Sequence, residues 1–466
     1  MICLTFHLIR TVAISFAVAT ISARAATIVS GQRWTDTSGK YIQAHGGGVL
    51  KVQDTYYWVG EDKSDDSGTF QGFHMYSSLD LAAWKDEGLV LPPSNKTTSV
   101  GERPKVLYNA STRKYVLWFH AEDSGYALAQ VGVAVSNQVT GPYEFQEAFR
   151  PLGQESRDMS VYVDPKDQTA YLIFATNDNK DLAIASLSAD YLKPDKLEYT
   201  IANQRYEGSG MFLKDNKYWL ILSHQSSWEP NDNLALVADS PKGPFDSPTG
   251  IAPANLKTYN SQNHFDLVIR GSEQTCNIYM GDRWRSDKLG QSTEVWQPFE
   301  WNSSGRPYIE RFEDAWDLDA KTGTVTRFAR STFNVAQNAK LSGNTKIEDC
   351  AKCPGGKIAN GVGGSANSTV TFSGVRSPNG AAGKVWAGIY YNHADKYPKY
   401  RNAFVSVTGT STQDVEVNFA PGGSVDSGLQ SSPVLLDLKA GDNDVTISNA
   451  QGSGPNVGYL VVYQSA

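Results

Sequence analysis

The chain has 466 residues, of which 40% are hydrophobic and 20% charged, and its formal net charge is -7. This length exceeds that of one ordinary domain and the composition is globular, so we expect two domains. An acidic chain without a basic tract argues against nucleic acid or an anionic polysaccharide as the main partner.

The first 25 residues are typical of a secretory signal. Arg10 precedes an uncharged, mostly apolar run from Thr11 to Ile21, and Ala23-Arg24-Ala25 has the small-x-small pattern of a cleavage site. The apolar run is too short to span a membrane. We therefore expect residues 1–25 to be removed and the mature protein to be soluble and extracellular, with no membrane partner.

Five short strands, each with an aromatic residue, recur between residues 26 and 330. They surround Tyr57, Tyr115, Tyr171, Tyr218 and Tyr279, in runs rich in aromatic or β-branched residues. Repeats of about 50 residues without helical periodicity are typical of propeller blades of about four strands each. The pattern predicts an all-β fold that begins with a five-bladed β-propeller. Five unrelated strands of a sandwich are the alternative.

Each of these tyrosine strands is preceded by another strand, and every preceding strand begins with polar residues. The polar starts are His45, Glu102, Asp158, Glu207 and the group of Gln262, Asn263 and His264. In a propeller the innermost strands surround the central axis, so these side chains would line one funnel. The repeat therefore predicts one site that contains at least three carboxyl groups.

Glu207 has the surroundings that a general acid needs. It follows Tyr206 and precedes Gly208, Ser209 and Gly210. Glycines let the backbone approach a ligand closely, and apolar neighbours raise the pKa of a carboxyl group towards neutrality. An ordinary surface glutamate in a turn is the alternative.

The far ends of the tyrosine strands are polar as well, and two roles are open for them. They could bind substrate hydroxyls, or they could cap and connect the blades. Together with His45, the expected substrate contacts are Glu61, Asn177, Gln225, Asp282, Arg283 and Trp284. Trp228 and Trp296 are further candidates for stacking under a sugar ring, with core packing as the alternative.

Two groups of motifs resemble a known family. Residues 26–330 resemble the five-bladed propeller of glycoside hydrolase family 43, and the runs Gln43-Ala44-His45-Gly46-Gly47-Gly48 and Glu102-Arg103-Pro104-Lys105-Val106 resemble its exo-β-1,3-galactanase branch. The segment from Asp158 to Asp164 is similar to the one that carries the carboxylate tuning the acid. Glu207-Gly208-Ser209 is similar to the general-acid motif. The resemblance implies hydrolysis with inversion, with Glu207 as the acid.

The base of that family has no counterpart at the expected position. The family places an aspartate on the first blade where this chain has His45 and Gly46. Inversion needs a base roughly 6.5 to 9.5 Å from the acid, with room for a water molecule. Glu102 is chemically able to act as that base. Gln262 could only orient the water or react through an imidic tautomer, and both residues stay candidates.

Cys350 and Cys353 form a C-x-x-C sequence. It could be a redox pair, half a zinc site or a local disulfide. A disulfide is favoured because an extracellular compartment is oxidising and the chain has no second C-x-x-C or nearby histidine pair. Cys276 is then expected to be a buried free thiol.

Residues 331–466 are rich in glycine, serine, asparagine and alternating β-branched residues, which predicts a β-sandwich of the jelly-roll type. The segments 350–356 and 455–460 resemble a carbohydrate-binding module of family 35. The resemblance implies sugar contacts, for which Tyr391 and Arg401 are candidates, with ligand-free loop residues as the alternative. Such modules often bind structural calcium, but Val457 and Gly458 replace the usual acidic residue, so any metal here is unknown.

Four N-x-S/T sequons accompany the signal sequence and predict N-glycosylation in surface loops. Their asparagines are Asn95, Asn109, Asn302 and Asn367.

Together these patterns predict a secreted, monomeric, inverting exo-hydrolase that releases galactose from the non-reducing end of β-1,3-galactan, the arabinogalactan backbone. We expect the C-terminal module to hold the polysaccharide, and catalysis to need no cofactor. Galactan specificity rests on the resemblance alone. An α-L-arabinofuranosidase or β-xylosidase on the same fold is one alternative, and a non-catalytic galactan-binding lectin is the other.

Overall fold

The computed structural model describes residues 25–94, 98–377, 379–410, 414–423 and 428–464. Strands account for 52% of the described residues and helices for 4%, which confirms the all-β prediction. The signal sequence, apart from Ala25, and the sequon at Asn95 lie outside the described residues. Among the described residues, no helix is long and apolar enough to cross a membrane.

Residues 45–298 form five consecutive antiparallel sheets, each of which pairs its strands in chain order. The first strand, β1 (Ala26–Val29), precedes these five sheets. The first two sheets contain β2 (His45–Val52), β3 (Thr55–Glu61), β4 (Phe73–Ser78), β5 (Lys85–Leu91), β6 (Val100–Asn109), β7 (Lys114–Glu122), β8 (Gln130–Ser136) and β9 (Glu144–Phe149). The next three contain β10 (Met159–Val163), β11 (Ala170–Thr176), β12 (Asp181–Leu187), β13 (Pro194–Ile201), β14 (Tyr206–Lys214), β15 (Lys217–His224), β16 (Leu234–Ala238), β17 (Thr249–Gly250), β18 (Gln262–Arg270), β19 (Thr275–Arg283) and β20 (Thr293–Pro298). The first four sheets have four strands, and the fifth has three.

The first strands of these sheets are neighbours in space. β2 contacts β6, β6 contacts β10, β10 contacts β14, β14 contacts β18, and β18 contacts β2. The first strands of the five sheets therefore lie beside one another.

Short strands and turns connect the five sheets to the rest of the chain. β1 pairs with β23 (Ala315–Asp319), which pairs with β24 (Thr324–Arg327), and β21 (Glu300–Trp301) pairs with β22 (Pro307–Tyr308). One-turn helical segments are α1 (Lys257–Asn260) and, further on, α2 (Val335–Asn338), with 3₁₀ turns at Pro151–Gly153, Leu289–Gln291 and Pro354–Gly356.

The spaces between the five sheets are filled by apolar clusters. In one of them Trp58 lies with its ring centre 5.3 Å from that of Trp84 and 5.2 Å from that of Trp296. Since Trp296 is fully buried, the stacking role considered for it is wrong and core packing is its role. Cys276 is a buried free thiol, as predicted.

After Phe328 the chain forms two further sheets that enclose a separate apolar core. One sheet contains β25 (Ala329–Asn334), β27 (Lys346–Asp349), β28 (Lys357–Asn360), β30 (Gly383–Asn392), β33 (Gln430–Leu438) and β35 (Asn456–Gln464). The other contains β26 (Ala339–Leu341), β29 (Val370–Val375), β31 (Arg401–Val407), β32 (Val415–Phe419) and β34 (Asn443–Ser448). Cys350 and Cys353 are joined by a disulfide, as predicted. The blade count, the sandwich type and the domain boundaries stay predictions.

Candidate active site

A cavity of about 360 Å³ lies where the first strands of the five sheets begin. It brings together six of the predicted site residues: Glu61, Glu102, Asp158, Glu207, Gln262 and Trp284. Residues that sequence reasoning did not assign to the site complete the wall, together with the stacking candidate Trp228: Arg103, His120, Tyr126, Arg157, Asn179 and Ser227. The wall is therefore rich in carboxylates and cations, with two tryptophans.

Irregular strand pairing at the start of the first strands directs these side chains into the cavity. The register shifts between His45 and Gly48, Glu102 and Lys105, Glu207 and Gly210, and Asn263 and Phe265. Such bulges bend a strand and redirect side chains, often beside active sites. At Gly208 the backbone has a φ of +60°, and a Cβ there would lie 2.7 Å from the carbonyl oxygen of Asn263. Glycine is therefore required beside Glu207.

Glu207 is held between an amide and a second carboxylate. The side-chain nitrogen of Gln262 donates a hydrogen bond to its Oε1 at 2.9 Å, and the backbone N–H of Gly208 donates to Oδ2 of Asp158 at 3.2 Å. Burial and the negative charge of Asp158 raise the pKa of Glu207 to about 8. A carboxyl group with this pKa keeps its proton at neutral pH, which is the state of a general acid.

Gln262 uses its whole amide in hydrogen bonds. Its Oε1 accepts from the guanidinium of Arg103 at 2.7 Å and from the indole N–H of Trp284 at 2.9 Å. Its Nε2 donates to Glu207 and, at 3.1 Å, to the hydroxyl of Ser223. The side chain is buried, so its orientation is set by these four partners.

Glu102 is a carboxylate that its neighbours keep ionised. Its Oε1 accepts from the hydroxyl of Tyr126 at 2.6 Å, and its Oε2 lies 3.1 Å from Nδ1 of His120. Burial opposes ionisation, but His120 and the nearby Lys63 outweigh it and lower the pKa of Glu102 to about 2. Burial also lowers the pKa of His120, whereas Glu102 and Glu122 raise it to about 9.

Glu61 lies in the wall but is already engaged. Its Oε2 forms an ion pair with the buried Lys63 at 2.9 Å, and its Oε1 accepts from the backbone N–H of Arg103 at 2.9 Å. Glu61 thus stabilises the irregular strand pairing at Arg103.

Three predicted substrate contacts lie beneath the cavity wall and do not line it: His45, Asp282 and Arg283. All are buried. Nδ1 of His45 lies 3.6 Å from Asp282 and 3.4 Å from Glu294. Burial lowers the pKa of His45, but these carboxylates outweigh it and raise it to about 9. Arg283 donates hydrogen bonds to backbone carbonyls, including that of Ser431. Since all three residues are buried and do not line the cavity, the predicted substrate contacts are wrong in this structure.

Asn177 and Gln225 were also predicted to contact substrate, and neither lines the cavity. Asn177 is exposed and its amide donates to Asp181, while the amide of Gln225 donates to the carbonyl of Asn179. Asn179, two residues further along the same turn, lines the cavity instead. The turn that holds Asn177 therefore reaches the cavity through a residue two positions further on, and composition does not show which residue of a turn faces a cavity.

The two sugar-contact candidates of the C-terminal region have structural partners. Tyr391 is fully buried in the core and its hydroxyl donates to the carbonyl of Ala420, so the predicted sugar contact is wrong. Arg401 is half-buried and pairs through two nitrogens with Asp395 at 2.9 and 3.0 Å. Its sugar contact stays a prediction.

The sequons differ in accessibility. Asn302 and Asn367 are exposed. Asn109 is buried, its amide nitrogen donates to the carbonyl of Ala189, and its oxygen accepts from Thr112. A glycan cannot be attached to that nitrogen in the folded protein, so the prediction for Asn109 is wrong.

Two groups of described side chains lie close enough to share a cation. They are His45, Asp282 and Glu294 below the cavity, and Glu102, His120 and Asp158 in its wall. In both groups the raised pKa of the histidine favours an imidazolium, which pairs with carboxylates without a metal. Neither group belongs to residues 331–466, and calcium in that region stays a prediction.

Comparisons with known proteins give a family and several similar solved structures. The model of the family described as Glycosyl hydrolases family 43 matches residues 45–307. Solved structures of an exo-β-1,3-galactanase from Phanerochaete chrysosporium are similar as well. One, a glutamate-to-glutamine variant with β-1,3-galactotriose, is 36% identical with a TM-score of 0.88, and another, with galactose, is 36% identical with a TM-score of 0.87.

Both cover 94% of this chain and 100% of theirs. An exo-β-1,3-galactanase from Clostridium thermocellum is 25% identical, with a TM-score of 0.62 and the same two coverages. A comparison with curated proteins finds no match.

Proposed function

Because the chain belongs to glycosyl hydrolases family 43 and is a glycoside hydrolase, we propose that it releases galactose from the non-reducing end of β-1,3-galactan with inversion. The substrate rests on the similarity to galactanases over nearly the whole chain. The observation that carries the chemistry is Glu207, a buried carboxyl group with a pKa of about 8 beside the carboxylate of Asp158. The non-catalytic lectin was suggested by the missing aspartate of the first blade, and it is not favoured because the chain is a glycoside hydrolase.

Glu207 supplies the proton for the leaving group. It protonates the glycosidic oxygen as the bond from that oxygen to the anomeric carbon breaks, and positive charge develops on the sugar ring. Asp158 holds the backbone N–H of Gly208 and places negative charge next to Glu207, which favours the protonated acid before reaction. A water molecule attacks the opposite face of the ring and gives galactose with the α configuration.

Two groups can take the proton from that water, and they would do so differently. Glu102 is an ionised carboxylate in the same wall and needs no rearrangement. Gln262 is an amide whose nitrogen lies 2.9 Å from the acid. It would have to turn away from Glu207 and react as the imidic tautomer, because an amide is a very poor base.

The fold is part of the same proposal. The five consecutive sheets, whose first strands contact one another, are proposed as the blades of a five-bladed propeller within residues 26–330. Residues 331–466 are proposed as a β-sandwich carbohydrate-binding module of family 35. Holding the polymer there would raise the substrate concentration at the cavity without any new catalytic contact.

Secretion and glycosylation complete the proposal. The signal sequence and the oxidised pair of Cys350 and Cys353 support an extracellular protein. Asn302 and Asn367 are the proposed glycosylation sites of the described region. Mass spectrometry of protein secreted by a eukaryotic host should find glycans on these two residues and none on Asn109.

Product analysis tests the activity. Purified protein incubated with β-1,3-galactan is expected to release galactose from the first minutes, without larger oligosaccharides. Release of pentose but no galactose from type II arabinogalactan would establish the arabinofuranosidase or xylosidase alternative. Binding of galactan with no reducing sugar formed would contradict the proposed activity altogether.

Azide can identify the group that activates water. Glu102→Ala and Gln262→Ala each leave space for a small anion at the wall. The variant that has lost the base is expected to lose about 10²- to 10⁴-fold in kcat and to regain turnover with azide, giving α-galactosyl azide. A variant that azide does not rescue has lost a different function, so the two candidates are separated in one experiment.

A further inference from the structure

The orientation of the Gln262 amide is fixed by two groups that can only donate hydrogen bonds. A guanidinium and an indole N–H have no acceptor atom, so the oxygen of the amide must face both of them. These donors are Arg103 and Trp284, at 2.7 and 2.9 Å from Oε1. The NH₂ group of Gln262 must therefore face Glu207.

This orientation determines where Glu207 carries its proton. Because Nε2 of Gln262 donates to Oε1 of Glu207 at 2.9 Å, Oε1 acts as an acceptor and cannot hold a proton on that side. The proton then sits on Oε2. If the amide were reversed, its carbonyl oxygen would accept the proton of Glu207 and keep it within the pair, away from the leaving group.

Arg103 is the more firmly anchored of the two donors. Its Nη2 forms an ion pair with Oδ2 of Asp158 at 2.9 Å, and its Nη1 donates to the carbonyl of Asn263 at 3.3 Å. Its backbone has a φ of +55° directly before Pro104, and its N–H donates to Glu61. Such a conformation costs an ordinary residue about 1 kcal/mol or more, and it persists only where the surroundings enforce it.

We propose that Arg103 is a positioning residue that, by holding the carbonyl of Gln262 and the carboxylate of Asp158, keeps the catalytic proton on Oε2 of Glu207, the oxygen that does not accept from Gln262. This proposal rests on the proposed function of Glu207 as general acid. It assigns Arg103 no contact with the reacting atoms, because Arg103 acts through Gln262, through Asp158 and through its charge.

Two substrates that differ in their need for an acid test the proposal. The sugar leaving group of β-1,3-galactobiose needs protonation, whereas the dinitrophenolate of 2,4-dinitrophenyl β-galactoside leaves without it. Arg103→Lys keeps the positive charge, but an ammonium group cannot reproduce the contacts of the guanidinium with both Gln262 and Asp158. It is expected to lose about 10²-fold in kcat on galactobiose and less than tenfold on the aryl galactoside. Glu207→Gln should show the same contrast.

Arg157→Lys is the matched comparison. Arg157 also lines the cavity, but its guanidinium contacts the carbonyl of Tyr126 and the carboxylate of Glu122 and no part of the acid pair. Arg157→Lys should therefore lower kcat by the same factor on both substrates. The proposal would be overturned if Arg103→Lys lowered kcat by the same factor on both substrates, or if it did not lower kcat on galactobiose. Failure of the wild type to release galactose would instead overturn the proposed function.

The alkaline limit of kcat gives an independent measurement on galactobiose alone. Glu207 is faced by Asp158, by Glu102 and Arg103 at the start of β6, by Gln262, and by Ser223 on the neighbouring strand. The cation of Arg103 lowers the pKa of Glu207, so Arg103→Met should move the limit to higher pH and Arg103→Lys should leave it in place. If Arg103→Met, folded by circular dichroism, left the limit unmoved, the proposal would fail.

Discussion

The catalytic cavity and the core of the C-terminal sheets bury their side chains in opposite ways. The cavity wall buries ionised groups in pairs, as in the contacts of Arg103 with Asp158 and of Lys63 with Glu61. The C-terminal core is built from apolar side chains such as Phe372 and Val405. Removing one partner of a buried pair leaves an unpaired charge, whereas trimming an apolar side chain leaves a cavity. Changes in the first region should alter chemistry, and changes in the second should alter stability.

The largest effect is expected for Glu207→Gln. The variant keeps the shape and loses the proton, so kcat on β-1,3-galactan should fall about 10²- to 10⁴-fold while binding is retained. Initial rates and isothermal titration with β-1,3-galactotriose measure the two quantities. Glu144→Gln, an exposed glutamate on β9, serves as the control and should behave like the wild type. Activity retained in Glu207→Gln would remove this residue as the acid.

The effect of pH should follow the same carboxyl group. The acid is active when protonated, so kcat/KM should be constant below the pKa of Glu207, about 8, and fall tenfold for each pH unit above it. Since folding raises this pKa from its ordinary value of 4.5 to about 8, the contribution of Glu207 to the stability of the folded state falls as pH rises from about 4.5 to about 8. If kcat/KM already began to fall near pH 5 as the pH was raised, the titration would belong to a different group.

A change in the other region should leave this chemistry intact. Phe372 is fully buried between the two C-terminal sheets, and Phe372→Ala should lower the free energy of unfolding of that region by about 3 to 5 kcal/mol. Urea unfolding measures the loss, and Val415→Ala on the exposed face of β32 should change it by less than about 0.5 kcal/mol. For the folded variant, kcat on galactobiose should equal that of the wild type. A fall in kcat would show that the two regions are coupled.

The smallest effect distinguishes a core tyrosine from a sugar contact. Tyr391→Phe removes one buried hydrogen bond, to the carbonyl of Ala420, and should cost about 1 kcal/mol in unfolding free energy. The dissociation constant for galactan should not change. Weaker galactan binding with unchanged stability would restore the role predicted from the sequence.

The difference between the cavity and the C-terminal core also explains which features could be predicted from the sequence. Glu102, Asp158, Glu207 and Gln262 were identified because polar residues recur at one position of a repeat, and the repeat brings them to one cavity. Tyr391 was misassigned because it belongs to no repeat. Whether a strand residue is buried depends on what packs on its face of the sheet, and both faces of β30 are covered: Tyr391 lies in the C-terminal core and Tyr390 packs with Phe328.

His45 and Arg103 show a second reason why part of the site could not be predicted from the sequence. Both belong to motifs that were recognised, yet His45 is buried and does not line the cavity, whereas Arg103 does. The difference comes from the bulge after each strand start, which turns one side chain down and another into the cavity. A change of backbone direction within two residues leaves no signal in composition or spacing.

The central claim, a general acid at Glu207 in an inverting site, is tested most directly by the first product. Proton NMR of the reaction with β-1,3-galactobiose, recorded before mutarotation, resolves the anomeric configuration of the released sugar. The account predicts α-galactose in the earliest spectra, followed by slow equilibration with the β anomer. β-Galactose as the first product would show retention of configuration and contradict the proposed mechanism.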